Sequence, residues 1–103
     1  MKNKKLFNSR PEEFFQPRNQ KEKNLVKAFL KLKTEKDMAN FLRDLLTLAE
    51  FEEFANRLEI ARLLTEGLSY QKIAKKTGVS TATVTRVAHW FFRGCGGYKK
   101  VLK

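Results

Sequence analysis

The chain has one cysteine, Cys95, and one histidine, His89, among 103 residues. A lone cysteine excludes an intramolecular disulfide and any multi-cysteine zinc site. A lone histidine excludes a catalytic or metal centre built on two imidazoles. Both prolines fall within the first 17 residues, so from residue 18 onward no proline interrupts a helix. No apolar run approaches the roughly 18 residues that suggest a membrane span. The opening residues Met1 to Lys5 are basic but lead into no apolar stretch. No export signal is therefore expected, and a cytoplasmic location is. The length suits one domain. The expectation is an all-α chain without membrane contact.

The most telling absence is of acid. Residues 67–103 carry eight Lys/Arg and no Asp or Glu, whereas residues 34–66 carry four against eight and residues 1–33 carry ten against three. An ordinary solvated surface mixes both signs. A basic block free of carboxylates is the electrostatic footprint of a polyanion binder, although a merely soluble basic protein also fits the net charge of +11.

Three regions follow from the patterning. Residues 1–19 lack helical periodicity and read as a flexible basic arm, in which Phe7, Phe14 and Phe15 are docking candidates. Residues 20–66 read as a helical region, which the resemblance given below makes a dimerisation region. A helix starts at Gln20 with a stripe of Leu25, Val26, Phe29, Leu30 and Leu32. Thr34 caps a second helix, with Met38, Phe41, Leu42, Leu45 and Leu46 on one face. Thr47 and Glu50 have capping-box spacing. They open a third helix, with Phe51, Phe54, Leu58, Ala61 and Leu64 along one side, which runs to about Glu66 and stops at Gly67. Periodicity does not decide whether these faces are covered within one chain or by a second copy. Residues 67–103 then form a head with a short C-terminal tail.

Within that head, Ser69 caps a helix of about two turns, Gly78 ends it and Ser80 caps the next. The break from Thr77 to Val79 has helix-turn-helix length. Ala74 is small where the helices approach, and Ile73, Val79, Val84 and Val87 fill the wedge. The outer face of the second helix offers Ser80, Thr81, Ala82, Thr85, Arg86 and His89 for reading bases. Short polar side chains let a helix approach base edges in a major groove about 12 Å wide. Ser69, Gln71, Lys72, Lys75, Lys76 and Thr83 are placed to meet phosphates. His89, at the end of that helix, suits either DNA contact or plain exposure. A helical hairpin with a Thr-rich solvent face would explain the packing but not the missing acids.

These residues resemble the Trp repressor superfamily, and in particular its YerC/YecD-like branch. The matching segments are Phe41 through Thr47, Arg57 through Leu64, Tyr70 through Arg86 with Thr77 to Arg86 at the centre, and Gly96 to Tyr98. The resemblance covers about three-quarters of the chain. It implies an intertwined all-α homodimer whose two helix-turn-helix heads meet successive major grooves, about 34–36 Å apart. It also implies a vestigial ligand pocket at Thr47, Arg57 and Arg86. The glycine that follows the recognition-helix arginine in the family is Val87 here, and the serine that holds the ligand's amino group falls on Trp90. Both replacements crowd the space for a free indole. Tryptophan is therefore not the expected effector, and Trp90 is expected to fill part of that gap from within the chain. Any other small-molecule effector stays unidentified.

No cofactor, metal or enzymatic activity is expected. Glu50, Glu52 and Glu53 in a helix's first turn answer the macrodipole, and the glycines at 94–97 follow a helix and read as its termination, with no strand for a phosphate loop. The leading expectation is a dimeric regulator, a repressor, that binds a specific double-stranded site and occludes a promoter. The alternatives are an RNA- or ribosome-associated binder without base readout, and a helical module that meets an acidic protein.

Overall fold

The computed structural model describes residues 15–103, and among these every regular element is a helix: α1 (Gln20–Leu30), α2 (Glu35–Leu45), α3 (Leu48–Thr65), α4 (Tyr70–Thr77), α5 (Thr81–Arg93) and α6 (Gly97–Val101). Phe7, Phe14 and most of the expected arm lie outside the described residues, and Phe15 is exposed. None of the helices is long and apolar enough to cross a membrane. The chain divides into two compact units, Gln16–Glu53 and Phe54–Lys103, with the boundary inside α3.

Local chemistry sets each boundary in the Gln16–Glu53 unit. The Asn19 side chain accepts the Glu22 amide at 2.9 Å, which satisfies a donor that has no partner in the first helical turn. Arg18 clasps the Glu22 carboxylate at 2.6 Å, and its side-chain hydrogen bond holds that carboxyl below its ordinary range. Thr34 accepts the Asp37 amide at 3.1 Å to start α2, as its position predicts. At the far end of α2, the Arg43 guanidinium donates to the Leu46 carbonyl at 3.1 Å. Phe29 and Phe41 meet edge to face at 5.6 Å. Even so, no residue of α1 or α2 is buried. Leu30 is 74% exposed and Leu45 46%, so the chain alone leaves these apolar stripes uncovered.

The Phe54–Lys103 unit holds the core. Ile60, Ala61, Leu63 and Leu64 of α3 pack with Ile73 of α4 and with Val84, Val87, Ala88 and Phe91 of α5. Leu68, Ala74, Val79, Tyr98 and Leu102 close its edges. Ile60, Ile73 and Val84 are fully buried, and each such side chain stabilises the fold by about 1.5–3 kcal/mol relative to exposure. The sequence expectation for α3 needs correction here. Phe54 and Leu58 are exposed, and the buried side is formed by Ile60, Leu63 and Leu64 together with Ala61. Apolar residues occur on both sides of α3, and periodicity does not say which side meets the head.

Candidate nucleic-acid interface

Two short helices and the turn between them position the site. The Ser69 hydroxyl accepts the Lys72 amide at 3.2 Å and so starts α4. Gly78 ends α4 at φ +80°, a left-handed conformation that a side chain disfavours, and its amide donates to the Ala74 carbonyl at 2.8 Å. Ser80 then accepts the Thr83 amide at 3.1 Å and starts α5. Thr77 adds a brace from inside, with its hydroxyl donating to the Ile73 carbonyl at 2.8 Å. Ile73, Val84 and Val87 lie buried between the helices, and Ala74 and Val79 pack partly buried beside them. The wedge is filled by the residues whose spacing predicted it.

Opposite this core, Ser80, Thr81, Ala82, Thr85, Arg86 and His89 are all exposed. Their hydroxyls are not equally available. Ser80 Oγ caps α5 and lies 3.0 Å from Thr83 Oγ1, and the Thr85 hydroxyl donates to the Thr81 carbonyl at 3.0 Å. The half-buried Thr83 therefore works in the cap, and the Thr85 oxygen keeps its acceptor capacity outward. Ser69, Gln71, Lys72, Lys75 and Lys76 are exposed along α4.

The charges are asymmetric. In α3, Arg62 pairs with Glu59 at 2.7 Å and with Glu66 at 2.6 Å. The Arg62 hydrogen bond lowers the Glu59 carboxyl below its ordinary range, with a smaller pull from Lys76. The same pairs hold the Arg62 guanidinium more firmly protonated. From Gly67 onward no carboxylate side chain offsets the lysines. Among the described residues no group of three His, Cys, Asp or Glu is arranged to hold a metal.

The expected pocket residues occupy defined places. Thr47 forms the capping box of α3, Arg57 lies 5.5 Å from the centroid of the Phe54 ring, and Arg86 is exposed on α5. Val87 is buried in the core, so the position that replaces the family's glycine carries a packing side chain. Trp90 overturns one expectation. It is 56% exposed and meets the His89 ring edge to face at 5.4 Å, and it does not fill a gap from within the chain. One residue from the buried Phe91, it is turned away from the core line by about 100°.

One element escaped the sequence reading. After Gly94 the supposed tail forms α6, whose Tyr98 and Leu102 pack on the core and whose Lys99 ammonium lies 5.5 Å over the Phe91 ring. The i, i+4 spacing of Tyr98 and Leu102 was the available signal.

The Trp repressor protein family matches residues 20–103. The uncharacterised protein YerC of Bacillus subtilis is 41% identical over 78 residues, which cover 76% of this chain and 75% of YerC. A crystal structure of a TrpR-like protein from Eubacterium eligens superposes with a TM-score of 0.77 at 37% identity, covering 82% of this chain and 87% of that one. A proposed Trp repressor from Staphylococcus aureus gives 0.73 at 31%, covering 78% and 80%. The family is regulatory and DNA-binding, not enzymatic. On the matched span and these likenesses, the chain belongs to the Trp repressor family.

Proposed function

We propose that this protein is a dimeric, sequence-specific double-stranded DNA-binding repressor that acts in the cytoplasm without tryptophan as its effector. One observation carries the reading. A buried wedge fixes α5 against α4, and the outward side is short, polar and flanked by lysines with no carboxylate from residue 67 on. Ser80, Thr81, Ala82, Thr85, Arg86 and His89 read base edges. Ser69, Gln71, Lys72, Lys75 and Lys76 contact phosphates, and Thr83 supports them from the cap.

The dimer accounts for the α1 and α2 faces that the chain leaves exposed. Two heads about 34–36 Å apart then meet half-sites one helical turn apart. The resemblance, and no geometry between the two units, makes Thr47, Arg57 and Arg86 candidates for vestigial ligand-binding positions. The buried Val87, at the position where the family has a glycine, supports the loss of tryptophan binding.

Competition binding tests the reading. A specific site should bind about 10³–10⁷-fold more tightly than random duplex. Lys75→Ala should weaken all sequences alike and flatten the salt dependence. Thr81→Val should change which sequence is preferred. Equal affinity for random duplex and structured RNA would instead favour the RNA- or ribosome-associated alternative.

A further inference from the structure

Arg93, which has no role in the site described above, ends α5 in line with the readout residues. At 3.6 residues per turn, Ala82, Arg86, His89 and Arg93 fall within an arc of about 60°. All four are exposed, on the side away from the buried Val84, Val87, Ala88 and Phe91. From Ala82 to Arg93 the helix rises about 16 Å, more than the roughly 12 Å width of a major groove. A recognition helix that places its N-terminal end on the bases therefore carries its last turn over the bordering sugar–phosphate strand. The C-terminal end of a recognition helix makes backbone contacts of this kind in homeodomains.

The surroundings keep Arg93 available. Among the described residues Arg93 itself forms no ion pair, and no carboxylate side chain follows Gly67. The end of α5 is also braced. The Gly94 amide donates to the Trp90 carbonyl at 2.9 Å, and a Cβ at Gly94 would collide with that same carbonyl oxygen. Gly96 turns the chain at φ +85°, and Tyr98 and Leu102 of α6 then return to the core. A basic residue in a last turn also answers the helix macrodipole, but that role does not require the line through Arg86.

We propose that Arg93 is a phosphate contact at the edge of the groove, held by the α6 brace; this rests on the duplex-binding reading of α5. The test is the salt dependence of duplex affinity for the full chain and for Arg93→Ala, Arg93→Lys and Lys75→Ala. Arg93→Ala should weaken specific and random duplex by a similar factor, about tenfold. It should reduce the log–log salt slope by about 0.9 for each bound copy. Arg93→Lys should restore the slope, and the melting temperature without DNA should hold for both variants. A flattened slope for Lys75→Ala beside an unchanged one for Arg93→Ala would overturn the inference and leave the duplex reading standing. A lowered melting temperature with the slope intact would reduce Arg93 to a dipole partner. No salt-dependent duplex binding by the parent chain would remove both.

Discussion

Thr47 and Glu50 cap each other. The Thr47 amide donates to Glu50 Oε1 at 2.9 Å, and the Glu50 amide donates to Thr47 Oγ1 at 3.1 Å. The reciprocal pair fixes the start of α3, the helix that carries Ile60, Ala61, Leu63 and Leu64 into the core. It also gives the candidate pocket threonine a structural role. Thr47→Ala should cost about 1 kcal/mol in chemical denaturation. Stability equal to the parent's would show that the cap is idle.

Gly78 sits at φ +80°, and a Cβ there would meet nothing within 4 Å. The cost of Gly78→Ala is then conformational alone, about 1–2 kcal/mol. Denaturation should show that loss with α4 and α5 still formed. A neutral effect would mean that the turn does not need the left-handed conformation.

Much of this head is legible in sequence because its signals are local. Ser69, Gly78 and Ser80 mark boundaries that hydrogen bonds within three or four residues enforce. What the sequence leaves open depends on distant partners. Which side of α3 is buried is decided by α4 and α5, so Ile60 and Leu63 do not stand out from Phe54 and Leu58 by spacing. Trp90 looks like a core residue by type, yet its place one step round from Phe91 leaves it exposed. The tail hides α6 because Gly94 and Gly96 precede it and Gly97 is its first residue.

The dimer reading makes Leu45 a sensitive position. Its side chain is 46% exposed in the chain and would be covered by a second copy. Sedimentation of the parent at micromolar concentration should give twice the 12.0 kDa chain mass. Leu45→Asp should give single chains, because an unpaired buried charge costs several kcal/mol. A parent mass near one chain would remove the dimer.

Acid should act on the Arg62 network in a defined direction. The Glu59 carboxyl lies below its ordinary value near 4.5, so its pairing stabilises the fold above that value. The contribution is lost as pH falls through the lowered value. Arg62→Gln should move the Glu59 titration, followed by NMR, back up toward 4.5. An unmoved titration would assign the shift to another cause.

Free L-tryptophan should neither bind nor change DNA affinity. Val87 is a buried packing residue of α5. Calorimetry should therefore show no saturable heat up to millimolar ligand. Sub-millimolar binding would contradict the loss of tryptophan as effector.

Selection of duplexes from a random pool by the full chain tests the central claim most directly. A dimer that reads bases through α5 should enrich a palindrome whose half-sites lie about 10–10.5 base pairs apart, centre to centre. Thr81 and Thr85 variants should shift the enriched bases without changing that spacing. A pool that stays random while binding remains tight and salt-dependent would contradict base readout by this helix.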